Sequence, residues 1–324
     1  MQFTTDHIFH IGGQHLRNGM PCQDYALSGV TPHLAYAVVS DGCSSGGKTD
    51  IGARVLALAT AQALAQYNTA NLPAATDTSA YQLATLKASQ GLLGLRNDDL
   101  LATAGVAVVS STAGATLSLW GDGVLATLSH TGELRLVRVE WANNMPYYPS
   151  YRLANLSAFI AAHGGDEASA MTITVATGRL EGPMTLDPSF TVSVTEGANG
   201  YHEHLTPESL SSARFIAVFT DGVMQVEGLE WYEVARQLLL FKSTEGAFAI
   251  RRMNRFLKDI SQLSGQELEE VYTSIPEPKG TSKDELRRYA KQVAQLIESR
   301  KAKKGPQDDI GYAVIQISPT PEEA

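Results

Sequence analysis

Cysteine is scarce in this chain: Cys22 and Cys43 are the only two in 324 residues. That excludes a disulfide-stapled scaffold and suits a reducing compartment. Long apolar runs are missing too. None reaches the ~18 residues of a membrane-spanning helix, and the opening MQFTTDHIFH has no basic segment followed by an apolar stretch, so no secretory signal is expected. Both absences point to a cytoplasmic protein without membrane contact. Positive charge is in deficit: 25 Lys and Arg against 34 Asp and Glu give a net charge of −9. This argues against nucleic-acid partners and against attraction to anionic lipid. No internal repeat and no clear linker breaks the chain. What is present is a globular composition, 44% hydrophobic and 18% charged, with length enough for a large core.

The stretch Ala35 to Ala59, AYAVVSDGCSSGGKTDIGARVLALA, organises the rest. Its apolar start reads as a buried strand that stops at Asp41-Gly42. After a Gly- and Ser-rich loop, Ile51, Val55, Leu58 and Ala59 fall at helical spacing. A carboxylate thus stands at a strand tip beside pliant backbone. Three readings compete there. Gly42 to Thr49 (GCSSGGKT) fits the phosphate-binding pattern G-x-x-x-x-G-K-[ST], with Lys48 on the phosphates and Thr49 on Mg²⁺. Alternatively, the Asp41 carboxylate and the Gly42 carbonyl are hard oxygen ligands of a metal ion. The plain alternative is a turn, for which Asp-Gly is common.

The remaining pattern is mixed. Strands are expected at His7–Gly12, Tyr25–Val30 and 34–40, the last two too closely joined at Thr31-Pro32-His33 for anything but an antiparallel hairpin. Helices follow at about 50–67 and at Thr78–Leu95, with a loop at 68–77 between them. Ala102–Val109, Ala115–Trp120, Val124–Leu128 and Leu134–Trp141 read as an antiparallel meander. Met171–Ala176, Phe190–Thr195, Phe215–Phe219 and Ile310–Ile315 are further strands. Helices are expected at Glu230–Phe241, Glu245–Leu257 and about 282–300, with a Pro-Glu-Pro-Lys-Gly break before the last and a loose tail from Ser318. The polar segment Gln14–Gln23, which carries His15 and Arg17, reads as a loop. Turns this short oppose the P-loop reading, because parallel strands need crossover helices.

Acidic residues gather at the strand ends. Asp24 precedes one strand and Asp41 follows another; Asp122 lies in Gly121-Asp122-Gly123, Asp221 in Thr220-Asp221-Gly222, and Asp308-Asp309 come directly before Ile310. Converging carboxylates without a Cys or paired-His set suit Mg²⁺ or Mn²⁺. Buried without a cation they would repel one another.

In order and approximate spacing, Gln23-Asp24, Ser40-Asp41-Gly42, Gly121-Asp122-Gly123, Thr220-Asp221-Gly222 and Asp308-Asp309-Ile310 resemble the motifs of the PPM, or type-2C, metal-dependent Ser/Thr protein phosphatases. The resemblance spans about residues 7–316. It implies an α+β fold, a four-layer α-β-β-α sandwich of two mainly antiparallel sheets flanked by helix pairs. That is one phosphatase-like domain over 1–324, with a helical addition at about 245–304. It also implies two Mn²⁺ or Mg²⁺ ions, or three, that activate a bridging water. Asp41 would bridge two ions with the Gly42 carbonyl on one. Asp221 and Asp308 would complete that site, Asp24 would serve the second ion, and Asp122 with Asp221 a third. The implied substrate is a phosphoprotein, with a cognate Ser/Thr kinase or its target as a further partner.

This chain also departs from the family pattern. Gly19 stands where the family often has Arg, which passes the phosphate-binding role to Arg17 or His15. Cys43-Ser44-Ser45 replaces the usual residues after Asp-Gly, and Gly123 replaces a usual Ser. Asp308, rather than Asp309, takes the ligand place in the family's Asp-Asn pair. Two other functions stay open at this point: a metal-binding pseudophosphatase acting as an interaction module, and, behind it, a P-loop NTPase at Gly42–Thr49.

Overall fold

Residues 1–66, 72, 75–276 and 282–319 are described in the computed structural model. Most of the loop expected at 68–77, the 277–280 part of the Pro-Glu-Pro-Lys-Gly break and the tail from 320 lie outside them. In chain order the strands are β1 (Gln2–His10), β2 (Asp24–Val30), β3 (Ala35–Asp41), β4 (Ala104–Ser110), β5 (Gly114–Trp120), β6 (Gly123–Ser129), β7 (Glu133–Trp141), β8 (Ser169–Arg179), β9 (Met184–Leu186), β10 (Phe190–Ser193), β11 (Tyr201–Leu205), β12 (Ala213–Phe219) and β13 (Ile310–Ser318).

These strands are apolar on both faces for a reason that β12 shows. Phe215, Ala217 and Phe219 point into one core, Ile216 and Val218 into another, and all five are buried. β13 repeats the division, with Tyr312 and Val314 opposite Ala313 and Ile315. A strand covered on both sides belongs to a middle layer. One sheet runs β1-β13-β12-β6-β7-β8-β10, with β9 on β8; the other runs β11-β5-β4-β3-β2. Pairing is antiparallel throughout both. The two sheets pack face to face over one core. Helices Thr49–Ala65 and Ala75–Leu93 cover the outer face of the smaller sheet through Leu56, Leu64 and Leu86. Helices Trp231–Leu238 and Phe248–Ile260 cover the larger sheet through Trp231, Leu238 and Phe256. The architecture is the α-β-β-α sandwich that the resemblance implied.

The hairpin β2–β3 forms as expected, closed by Thr31 N–H donating to the Leu34 carbonyl at 2.7 Å. β1 begins at Gln2, five residues before the expected start, because nine backbone partners on β13 hold a segment too polar to read as a strand. β11, YHEHL, is likewise a strand by its pairing with β5. Residues 14–18 are helical rather than loop, in Gly13–Asn18, which Gly19 ends at φ 65°. The later helix begins at Phe248 rather than Glu245, since Phe248, Ala249, Met253 and Phe256 form its buried stripe. Helices Gly265–Ser274 and Lys283–Lys303 pack on each other beyond it.

Phe256 is fully buried in the outer core beneath the larger sheet. Phe256→Ala should therefore cost about 3–5 kcal/mol of folding stability, read as a lowered midpoint in urea unfolding. A loss below about 1 kcal/mol, the size of a surface change, would show that this helix is not part of the core.

Candidate functional site

One end of the sandwich collects the acidic residues. Register places Asp24, first residue of β2, directly opposite Asp41, last residue of β3. Asp221 follows the end of β12, whose Phe219 pairs with Tyr312 near the start of β13, so Asp308 comes to the same end. Asp122 sits in the turn that carries the chain from β5 in one sheet to β6 in the other. Gly121 and Gly123 flank it at φ 105° and 143°, values that side chains disfavour. The cluster therefore straddles the cleft between the sheets.

Hydrogen bonds fix the cluster from both sides. Thr220 on the larger sheet donates its hydroxyl to Asp24 Oδ2 at 2.6 Å and accepts from Gly311 N–H at 2.8 Å. The Thr103 hydroxyl accepts from Asp41 N–H at 3.1 Å, and the Asp41 carbonyl accepts from Thr103 N–H at 2.8 Å. Gln225 joins two of the carboxylates, donating Nε2 to Asp308 Oδ2 at 2.8 Å and to Asp221 Oδ2 at 3.1 Å. The Gly42 N–H bonds the Gln23 carbonyl at 3.1 Å, which holds the backbone beside Asp41.

Electrostatics show the stress of this arrangement. Burial raises the Asp24 carboxyl to about 8 and the Asp122 carboxyl to about 7, and neighbouring carboxylates add to both. Asp41 and Asp221 are raised well above the ordinary carboxylate range, first by burial and then by neighbouring charge, that of Asp221 on Asp41 and that of Asp122 on Asp221. The charges of Asp221, Asp24, Asp122 and Asp308 all act on Asp41, so the five stand together as the sequence suggested. Asp122 Oδ1 and Asp221 Oδ1 are buried with no hydrogen-bond partner. Orphaned carboxylate oxygens in a set of hard oxygen donors fit a divalent cation, which would remove both the repulsion and the lost solvation.

Asp308 and Asp309 have different surroundings. Asp309 is buried and accepts from Gly12 N–H at 2.6 Å, Gln23 N–H at 2.6 Å and His15 Nδ1 at 2.9 Å. A Cβ on Gly12 would overlap the Asp308 backbone, and one on Gly222 the Asp309 carbonyl, so both glycines let this segment thread through. Asp309 thus pins the 12–23 segment, while Asp308 faces Gln225 and Asp221. His15, Asp308 and Asp309 can each bring one ligand atom within 4.8 Å of the others, but the His15–Asp309 contact is a hydrogen bond within this pin. His15 is buried there. Arg17 is exposed, with Nη2 donating to Gln307 Oε1 at 3.0 Å, one residue before Asp308. Sequence reasoning did not single out Gln225, Thr220 or Thr103. Gln225 is four residues after Asp221, whereas Thr220 meets Asp24 across 196 residues, a contact no local pattern announces.

The P-loop reading is overturned. β3, which precedes Gly42, is antiparallel to both neighbours, whereas a P-loop needs parallel strands with crossovers. Thr49, the expected Mg²⁺ ligand of that reading, is buried, donates to the Cys43 carbonyl at 3.0 Å and accepts from Gln23 Nε2 at 2.9 Å. Lys48 N–H goes to Asp99 Oδ1 at 2.7 Å. The Gly-rich segment packs on residues 96–99 rather than forming an open phosphate cradle.

A family model described as Protein phosphatase 2C matches residues 11–260. The chain belongs to the protein phosphatase 2C family. No curated protein sequence matches it significantly. Among solved structures, a sex determining protein of C. elegans is 12% identical with a TM-score of 0.43, covering 98% of this phosphatase 2C chain and 66% of its own. The serine/threonine phosphatase of S. agalactiae is 12% identical with a TM-score of 0.42, covering 98% and 100%. The serine/threonine phosphatase Stp1 of Staphylococcus aureus is 9% identical with a TM-score of 0.43, covering 98% and 96%. This phosphatase 2C chain thus spans about two thirds of the first protein and nearly all of the other two.

The raised carboxyls predict an unusual pH dependence for the protein kept in chelator. A carboxyl whose folded pKa lies above its unfolded value of 3.8 adds stability that is complete below pH 4 and is lost as pH rises through the folded value, here about 7 for Asp122 and about 8 for Asp24. His7 and His10, lowered by burial, oppose this below their ordinary 6.5. The four raised carboxyls outnumber them. The melting temperature of the chelated protein should fall between pH 6.5 and 8.5; a rise across that interval would contradict the shifts. Independently, Asp309→Asn should cost at least about 2 kcal/mol, the scale of a lost charged hydrogen bond, because three donors lose their anion.

Proposed function

We propose that this chain is a metal-dependent phosphoprotein phosphatase that hydrolyses phosphoserine or phosphothreonine monoesters. The observation that carries the reading is the cluster of Asp24, Asp41, Asp122, Asp221 and Asp308, buried or half-buried and with two orphaned carboxylate oxygens, in a chain of the protein phosphatase 2C family. Asp41, the Gly42 carbonyl, Asp221 and Asp308 would hold one Mn²⁺ or Mg²⁺ ion. Asp24 and Asp41 would serve a second, and Asp122 with Asp221 a third. When bound, the ions supply Lewis acidity toward phosphoryl oxygens and lower the pKa of water.

The protein's own groups do the positioning. Gln225 keeps Asp221 and Asp308 side by side, and Thr220 directs Asp24 into the cleft. Asp309 and His15 hold the 12–23 segment, and we assign His15 this positioning role. Arg17 is assigned the outer phosphate oxygens: its guanidinium stands on Gln307 beside Asp308, and the fork geometry suits a phosphate dianion. The pseudophosphatase alternative is not favoured, since every acidic position is present and converges. We read the chain as one phosphatase-like domain over 1–324 with a helical addition at about 245–304. Its partners would be a phosphoprotein and the kinase opposing it. Two free cysteines fit a reducing compartment such as the cytoplasm. Among the described residues no helix is long and apolar enough to cross a membrane.

Hydrolysis of an aryl phosphate with Mn²⁺ and with chelator tests the reading. Wild type should turn over only with the metal, and Asp41→Asn and Asp221→Asn should each lose several decades of kcat while remaining folded. Metal-independent turnover, or near-normal activity in either variant, would remove the cluster from the chemistry. Arg17→Ala should chiefly raise KM, by the equivalent of about 1.5–3 kcal/mol, whereas His15→Ala should lower stability more than KM. The opposite pattern would move the phosphate grip to His15.

A further inference from the structure

The acidic cleft has a basic counterpart at the far end of β12. Arg214 is the second residue of that strand and Asp221 lies two residues past its last. Six residues, most of them extended strand, therefore separate them, roughly 20 Å. Beside Arg214, two adjoining hollows of about 210 and 510 Å³ share Lys242, Arg252 and Arg255 in their walls. Arg251 lines the narrower one and Arg214 the wider.

These cations are poorly neutralised. Arg252 is only 8% exposed, and its Nε is buried without a hydrogen-bond partner. Among the described residues neither Lys242 nor Arg214 has a carboxylate partner; Arg214 lies over the Phe215 ring, 5.1 Å from its centre. Arg255 comes no nearer than 3.8 Å to Asp259, beyond hydrogen-bond reach. Arg251 reaches the Glu245 backbone carbonyl rather than a carboxylate. Two carboxylates, Glu181 and Asp259, line the wider hollow. Arg236 also lines it, but is tied to Glu233 and to the Leu180 and Gly182 carbonyls. Five cations thus face two carboxylates, in a protein of net charge −9. Burying a guanidinium without an acceptor is costly, so such a group marks a place for an anion.

We propose that this basic hollow is a second, noncatalytic anion site that takes a phosphate group, with Arg252 at its base and Lys242 and Arg255 at its rim. Several guanidinium forks converging on one cavity match a tetrahedral dianion, which accepts paired hydrogen bonds from each. The phosphate would be either the free ion or one borne on a protein segment. The site stands on its own geometry and does not depend on the activity proposed above.

Direct binding to the full chain in chelator tests it, where no cation can draw phosphate to the acidic cleft. Inorganic phosphate and a phosphoserine peptide are titrated separately by calorimetry, alongside thermal melting. Wild type should bind phosphate and melt at a higher temperature in its presence. Lys242→Glu combined with Arg255→Glu, both at exposed positions, should weaken binding at least tenfold and abolish the melting shift. Arg252→Lys, which keeps the charge and loses the fork, should also weaken it. Asp41→Asn should bind as wild type does. A peptide at least tenfold tighter than phosphate identifies a protein-borne group, and equal affinity identifies the free ion; both uphold the site. No binding of either probe, or undiminished binding by the Lys242→Glu, Arg255→Glu double variant, would overturn the proposal. If Arg252→Lys does not fold, the double variant decides.

Discussion

Everything at the acidic end of this protein follows from like charges brought together out of water. Burial lifts the carboxyls of Asp24, Asp41, Asp122 and Asp221 above the ordinary carboxylate range, and neighbouring charges add to the shift of every one. Natural cores avoid such clusters because desolvation and repulsion add. This one persists because strand pairing and backbone hydrogen bonds on both sheets fix it in place. Asp24 and Asp41 are paired by register, and Thr220 ties Asp24 to the opposite sheet. The cluster is thus built into the meeting of the sheets rather than onto a loop, and its geometry is as rigid as the sandwich itself. Under the proposed function a divalent cation would offset both the repulsion and the lost solvation.

Asp309 shows how the same chemistry serves a structural end. Its carboxylate is as buried as its neighbours, yet three donors surround it. It locks the segment from Gly12 to Gln23 against the start of β13, while Asp308, one residue earlier, faces the other acids. The two side chains meet different partners, so one continues the site and the other secures it. Gly12 and Gly222 are small because this backbone passes between them.

Much of this was legible in the sequence. Asp24, Asp41, Asp122, Asp221 and Asp308 were readable because each stands at a strand end marked by a glycine or by the next apolar run. The β2–β3 hairpin was readable because Thr31-Pro32-His33 leaves no room for a crossover. The first five residues of β1, before the expected start at His7, and the whole of β11 were not, since their strand state comes from partners far along the chain and not from apolar alternation. Helix Gly265–Ser274 carried a local signal, the capping box of Ser264 and Glu267, hidden among surrounding charges. The match of Gly42–Thr49 to a phosphate-binding pattern was a coincidence of composition; short turns in the sequence already opposed it, and the antiparallel strands on either side of β3 resolve it.

The central claim is that the buried carboxylates form a divalent-cation site. The most direct measurement is a Mn²⁺ titration of the chelator-stripped protein, followed by the electron paramagnetic resonance of the free ion. The account predicts saturation at two or more ions per chain, with at least one lost in Asp41→Asn. A wild-type chain that leaves Mn²⁺ free at millimolar concentration, or an Asp41→Asn chain that binds the same number as tightly, would contradict it.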